Sequence, residues 1–266
     1  MSSDRPTTVA GLRVLVTGSS SGIGAALARR LAADGAVVGL VGRRAEQLAA
    51  VLADCRAASP ECRSWIADLG DPGRAAELAL EAWDAFGHLD VLVNNAAIPK
   101  VKPVTRLTPA DVEETMRVNF LSPASMTLAV LPRMIARRGG TIVNVSSMGG
   151  RVGIGHEAAY SASKFALCGW SESLAMDLDG SGIAIRLIEP GPIATDIWDR
   201  PGEERAVFIP DLEPPELVAD GIVDAILGDR FEHYLPDLAS VVSFKHDDID
   251  AYIRMNADMR RNAEGR

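Results

Sequence analysis

The chain has 266 residues, of which 47% are hydrophobic, 24% charged and only 5% aromatic, enough apolar content for a domain with a sizeable core. Disorder, collagen and mini-protein scaffolds are excluded on this composition. Lys plus Arg total 27 against 36 Asp plus Glu, a net charge of −9, so neither nucleic acid nor an anionic membrane is an expected partner. The three cysteines, Cys55, Cys62 and Cys168, are odd in number and form no C-x-x-C, which suits free thiols in a reducing cytoplasm. Residues 1–10 read as a polar lead-in without a leader-like apolar core. No uncharged apolar run approaches the roughly 20 residues needed to span a bilayer, and the expectation is a cytosolic, untethered protein.

Short β-branched runs at 13–17, 36–41, 63–67, 91–94, 141–146, 183–188 and 231–235 alternate with Ala- and Leu-rich segments of helical period at 22–34, 44–57, 72–86, 109–118, 122–138, 158–179 and 215–227. Such alternation predicts βαβ units: an α/β, doubly wound fold with a parallel sheet of about seven strands and helices on both faces. No internal repeat or linker interrupts it, so one catalytic domain is expected over 1–266. Two stretches break the rhythm. Residues 190–214 carry Pro190, Pro192, Pro201, Pro210 and Pro214 and read as a long loop with short turns at most. Residues 236–266 form a C-terminal extension in which KHDDIDAYIRMNADMRR is expected to fold as one amphipathic helix.

Directly after the first strand, Thr17-Gly18-Ser19-Ser20-Ser21-Gly22-Ile23-Gly24 opens the first helix. Strand, glycine turn and helix together make a phosphate site, because backbone N–H groups and the positive helix end face the anion. Gly18 permits the turn, Gly22 lets a pyrophosphate approach, and Gly24 lets the helix sit close on the strand. Ser20, Ser21 and Ile23 are the other candidate contacts in the loop. The bland reading is an ordinary Gly/Ser turn, which the flanking elements disfavour.

The G-x-x-x-G-x-G spacing resembles the short-chain dehydrogenase/reductase family, and further motifs follow in that family's order from residue 17 to 195. Asn94-Asn95-Ala96-Ala97 looks like its NNAG motif with Ala in place of Gly. Asp68-Leu69 is similar to its adenine-contacting Asp, Asn119 in RVNF to its active-site Asn, and Pro190-Gly191-Pro192-Ile193-Ala194-Thr195 to its PG-x-x-x-T nicotinamide segment. The resemblance implies a single-domain Rossmann fold of roughly 250 residues. It also implies cofactor contacts from Asp68, Leu69, Asn95, Ala96, Ala97, Pro190, Gly191, Ile193 and Thr195. Which nicotinamide cofactor binds is a charge question at the end of the second strand. The acidic position of NAD-binding members corresponds to Gly42, and Arg43-Arg44 follow, so NADP(H) is expected in preference to NAD(H). A solvated helix start is the alternative reading of the two arginines.

Tyr160 and Lys164 lie four residues apart at the start of a predicted helix, on one face. Bringing a tyrosine from its ordinary pKa of about 10 to about 7 takes about 4 kcal/mol. One ammonium about 4 Å away supplies a similar amount at an effective dielectric of about 20. The pair alone is weak evidence, but Ser147 ends the strand TIVNVSS at the family's separation from Tyr160. Its neighbour Ser146 points to the opposite face by strand alternation. The resemblance implies Tyr160 as acid/base, Ser147 as the group polarising a carbonyl, Lys164 as lowering the Tyr160 pKa and holding the ribose, and Asn119 as positioning a water in a proton relay. Direct hydride transfer needs no metal. The four histidines, His88, His156, His233 and His246, form no ligand cluster.

Selectivity is expected from 98–102, 148–156 and 193–210, where Ile197, Trp198 and Phe208 suggest an apolar ketone or alcohol pocket and His156 is a candidate substrate contact. An alternative role for Trp198 and Phe208 is pinning the loop. Loop closure over cofactor is a further expectation. Residues 120–137 and 160–178 are apolar around their circumference, and the resemblance implies that they pack against a second subunit in a homodimer or homotetramer. Two alternatives stay open: an NAD(H)-preferring alcohol dehydrogenase, and a catalytically silent nucleotide-binding sensor or scaffold. Sugar-nucleotide epimerases share the motifs, but the residues after Thr195 are too few for their larger C-terminal domain.

Overall fold

Burial along β1 (Arg13–Thr17) shows why this chain builds a sheet covered on both sides: Val14 and Val16 join one apolar cluster while Leu15 joins the other. The computed structural model describes residues 6–199 and 211–264. Phe208, Pro201 and Pro210 lie outside the described residues, as does the distal part of the expected 193–210 loop.

Seven parallel strands run in the order β3-β2-β1-β4-β5-β6-β7. They are β1, β2 (Val37–Gly42), β3 (Arg63–Ile66), β4 (Val91–Asn94), β5 (Gly140–Val145), β6 (Ile183–Pro190) and β7 (Glu232–Leu235). The first apolar cluster carries α1 (Gly22–Ala33), α2 (Ala45–Ala58) and α7 (Pro215–Leu227). Under the opposite face lie α3 (Pro72–Phe86), α5 (Ser122–Arg137) and α6 (Ala158–Asp177), with α4 (Pro109–Met116) leading into α5. The doubly wound α/β reading holds, and most elements fall within two residues of their expected bounds.

Three differences have local causes. The expected helices at 109–118 and 122–138 are joined by a π-helical turn over Arg117–Leu121, which carries Asn119 inward rather than leaving it between two rods. β6 continues to Pro190 because β7 pairs with its last residues, Glu189 with Tyr234 and Pro190 with Leu235. The single expected C-terminal helix is two, α8 (Ala239–Asp247) and α9 (Ile249–Glu264). Asp248 breaks them: its backbone is extended, and its carboxylate accepts from the N–H of Ala251 at 2.7 Å, capping the second helix.

The extension packs back on the body. Tyr252 Oη donates to the carbonyl of Gly153 (2.9 Å), and Lys245 Nζ donates to that of Arg151 (3.1 Å) while lying 5.2 Å from the centre of the Phe165 ring. Among the described residues no helix is long and apolar enough to cross a membrane.

A buried polar ladder fixes β4 against β5. Asn94 Nδ2 donates to Asn144 Oδ1 (2.9 Å) and Thr127 Oγ1 (3.3 Å), Asn144 Nδ2 donates to Ser171 Oγ (2.8 Å), and Ser171 Oγ donates to the carbonyl of Leu167 (2.7 Å). The two asparagines are register partners, so the ladder ties two strands to α5 and α6 just below the strand ends. Asn144→Ala leaves buried groups on both sides without partners. Thermal unfolding is expected to show a loss of about 2–4 kcal/mol, seen as a Tm lower by about 5–15 °C; an unchanged Tm contradicts the role assigned to the ladder.

Candidate active site

The chain leaves β1 toward β2 on one side and β4 on the other, so the loops at the carboxyl ends of β1 and β4 separate and leave a crevice. Gly18 turns the chain there with φ +73°, in the left-handed region. A Cβ on Gly24 would lie 2.3 Å from the carbonyl oxygen of Gly18, so α1 can start this close to β1 only with glycine at that position. Thr17 Oγ1 accepts from the backbone N–H of Asn95 (2.9 Å) and Ala96 (3.0 Å), and Asn95 Nδ2 donates to the carbonyl of Thr17 (2.8 Å). The glycine loop and the NNAA loop are thereby one hydrogen-bonded unit.

Helix α1 begins without help from its own sequence: Ser21 makes no side-chain cap and no acid lies in the first turn. By contrast, Asp71 caps α3, and Thr108 with Asp111 forms a capping box on α4. The open N–H groups of α1 face a cavity of about 760 Å³ that is lined by every expected cofactor contact and by Ser147, Tyr160 and Lys164. An uncapped helix start at a glycine turn fits a dinucleotide's pyrophosphate. At the mouth, Arg44 donates to Ser20 Oγ (3.3 Å), to Ser21 Oγ and to Asp196 (2.9 Å), while Arg43 lies 3.6 Å from Asp68. Both arginines stand at this end of the cavity. Asp196 is a contact that sequence reasoning did not name.

Ser147 and Tyr160 line the same cavity, and Ser147 Oγ accepts from the N–H of Gly149 (3.0 Å). Ser146 points away, its hydroxyl against the Lys164 carbonyl (3.3 Å) and Cys168 Sγ (3.2 Å), as alternation at a strand end requires. Lys164 is fully buried; its ammonium donates to the carbonyl of Val145 (2.9 Å) and sits 5.8 Å from the centre of the Tyr160 ring. Asn119 does not line the cavity. Its amide accepts from the N–H of Ile98 (2.8 Å) and donates to the Ile98 carbonyl (3.0 Å) and Ser163 Oγ (3.1 Å). Both amide protons are thus engaged, and a water held by this side chain can only be a donor to it.

The model for the short chain dehydrogenase family matches residues 13–206, nearly three quarters of the sequence and all of the motifs above. The chain belongs to that family. A ketoacyl reductase, HetN, of Nostoc sp. (strain PCC 7120) is 31% identical over 220 residues, spanning 83% of this chain and 77% of the relative. A short-chain dehydrogenase/reductase from Burkholderia phymatum, solved in complex with NAD, superposes with a TM-score of 0.83 at 26% identity, covering 92% of this chain and 96% of that one. A metagenomic short-chain oxidoreductase solved in complex with NADP gives a TM-score of 0.71 at 34% identity, covering 84% and 96%. As a short-chain dehydrogenase the protein is an NAD(P)-dependent oxidoreductase acting on CH–OH or C=O groups.

Burial governs the electrostatics of this dehydrogenase. It pushes the Tyr160 hydroxyl above its ordinary value; the Ser147 side chain opposes the rise, and the carboxylates of Glu157 and Glu189 add to it. It also brings the Lys164 ammonium down to about 8, against the attraction of Cys168 and Glu189. Glu189, not named from the sequence, is fully buried at the end of β6. It accepts from the Ser147 backbone N–H (3.1 Å) and from Cys168 Sγ (3.1 Å), and lies 3.3 Å from Arg151 Nε. Arg151 in turn reaches Glu172 (2.6 Å) and Glu232 (2.7 Å). The sequence signal for this hub was an acid inside a run of strand residues, IAIRLIEP, where a charge is kept only if it is paired. His156, a candidate substrate contact, is not among the cavity-lining residues; the turn ending at its positive φ of 65° instead brings its neighbour Glu157 to the wall. Trp198 lines the cavity and its indole donates to the Ile193 carbonyl (2.6 Å), pinning the start of the loop.

Burial raises the Glu189 carboxyl to about 7. The native protein therefore holds its proton between about pH 4.5 and 7, where the unfolded chain has lost it. This contribution to stability is present at acid pH and is lost as pH rises through that window. Urea unfolding of wild type and Glu189→Gln across it is expected to show wild type losing stability relative to the variant as pH increases; parallel profiles contradict the assignment.

Proposed function

We propose that the protein is an NADP(H)-dependent carbonyl reductase or alcohol dehydrogenase whose chemistry is carried by Tyr160, Ser147 and Lys164. The observation that carries this reading is their convergence in one cavity with the uncapped glycine-loop helix. A bound nicotinamide dinucleotide supplies or accepts the hydride. The Tyr160 hydroxyl gives its proton to the substrate oxygen during reduction and takes it back during oxidation. Ser147 Oγ donates to the same oxygen and stabilises the charge that develops there. Lys164, fixed by the Val145 carbonyl beneath the Tyr160 ring, brings a positive charge that favours the phenolate and offers a donor to a ribose hydroxyl. Asn119 holds the Ile98 backbone and Ser163 and serves the relay as an acceptor for a water.

The preference for NADP(H) over NAD(H) is supported by the absence of an acid at Gly42 and by Arg43 and Arg44 at the mouth. A Cβ at Gly42 would already press on Ser20 at 3.3 Å. A planar guanidinium that holds Ser20, Ser21 and Asp196 can exchange that carboxylate for a 2′-phosphate. In this reading the substrate is a small ketone or secondary alcohol with an apolar body, and residues 1–266 are one catalytic domain; the buried free thiols support a reducing cytoplasm. Leu121, Leu128, Ile135, Phe165 and Met176 leave apolar surface exposed on the π turn, α5 and α6, which supports a homodimer or homotetramer through these helices.

Tyr160→Phe keeps the ring and removes the proton. Turnover is expected to fall by about 10²–10⁴-fold while cofactor binding, followed by fluorescence titration, is retained; undiminished turnover overturns the assignment. In a second experiment, Arg43→Ala/Arg44→Ala is expected to raise KM for NADPH by about tenfold or more and leave that for NADH little changed. An unaltered NADPH to NADH ratio counts against NADP(H).

A further inference from the structure

Six charged side chains line the cavity, and five of them have partners. Arg43 faces Asp68, Arg44 holds Asp196, and Lys164 is bound to the Val145 carbonyl. The sixth is Glu157. Among the described residues no side-chain hydrogen bond or ion pair reaches its carboxylate. It does not cap its own helix either, although it occupies the N-cap position of α6. Lys102, whose backbone N–H meets the His156 carbonyl (2.7 Å), pairs with Asp111 (2.7 Å), and Lys100 pairs with Asp111 (3.5 Å) and Glu114 (3.1 Å).

The position is held firmly. The Glu157 N–H donates to the Ile154 carbonyl (3.1 Å), and its carbonyl accepts from the Ser161 N–H (2.7 Å), so the backbone is fixed on both sides of the side chain. Ile154, Val118 and Met148 line the same cavity and bring no charge to it. Glu157 stands three residues before Tyr160. Side chains at that helical spacing are neighbours, with Cβ atoms about 5–6 Å apart, so one small molecule can reach both.

We propose that Glu157 is the counter-charge for a cationic substrate, a small ketone or secondary alcohol carrying a protonated amine within about four bonds of the reacting carbon. This deepens, and rests on, the oxidoreductase reading above. The ammonium meets Glu157 while the carbonyl oxygen meets Ser147 and Tyr160, and the apolar wall takes the carbon body between them. Burial without a partner raises the Glu157 carboxyl to about 7. An arriving cation restores the charged form and gains a charge-assisted hydrogen bond. A neutral substrate of the same shape leaves the carboxyl without that partner, so the site discriminates by charge as well as by fit.

The test uses two ring ketones of matched shape, 1-methylpiperidin-4-one and 4-methylcyclohexanone, each with NADPH and with NADH. Wild type is expected to favour the amine in kcat/KM, and Glu157→Gln to reduce the amine-to-carbocycle ratio by about 10- to 100-fold, mainly through KM, with Glu157→Asp recovering part of it. A ratio unchanged in Glu157→Gln overturns the proposal. Turnover of neither ketone counts against the oxidoreductase reading instead, and calorimetry of 1-methylpiperidine, protonated at neutral pH, with the cofactor-loaded protein then decides on Glu157. Weaker binding to Glu157→Gln than to wild type supports the counter-charge, and equal binding refutes it.

Discussion

Parallel pairing of all seven strands is the constraint from which the rest of the molecule follows. It sends every carboxyl end to one edge of the sheet, so the loops after β1, β4, β5 and β6 must share that edge whatever their sequences. Gly18, Asn95, Ser147 and Gly191 are far apart in the chain and close in space for this reason. Helix α1 points its open N–H groups at the same edge, and α6 starts there with Glu157 and Tyr160 in its first turns. One topological rule thereby brings an uncapped helix start, the Tyr160 phenol and the Ser147 hydroxyl to a single cavity.

Holding those groups still requires polar contacts in the interior. The asparagine ladder fixes β4 to β5 below the cavity, and Glu189 fixes Ser147 from behind while engaging Arg151. Each is expensive to bury and is held by the partners it has, although Asn94 Oδ1 is left without one among the described residues. The same low-dielectric surroundings hold Tyr160 up and Lys164 down. Glu157 differs from all of them: among the described residues no side-chain hydrogen bond or ion pair reaches its carboxylate.

Local rules made much of this visible in the sequence. Short β-branched runs alternating with Ala- and Leu-rich helical segments marked the element order, and the glycine loop, NNAA, Tyr160 with Lys164 and the PG segment marked residues that line the cavity. What escaped depended on contacts between distant segments. The pairing of Arg44 with Asp196 joins residues 152 apart, and Glu189 meets Ser147 across two strands, so neither leaves a pattern in a short window. Glu157 follows His156 directly, but that Glu157 and not His156 lines the cavity, after a positive φ at His156, leaves no signal in the sequence. The π turn at Asn119 likewise has no periodic signature, since it adds one residue to an otherwise regular helix. The break at Asp248 was readable in principle, because an Asp before a helical run is a capping signal.

The C-terminal extension gains its meaning from where it holds on. Tyr252 and Lys245 grip the carbonyls of Gly153 and Arg151, in the segment between Ser147 and Glu157. Leu238, ahead of α8, would be met at 2.7 Å by a Cβ on Gly191, so the same tail also rests against the segment after β6. Two walls of the cavity are therefore buttressed by residues that lie beyond the family's matched core. The shape of the pocket and the integrity of the tail share a single cooperative fate, and relatives with the same catalytic core but another tail would enclose a differently shaped space.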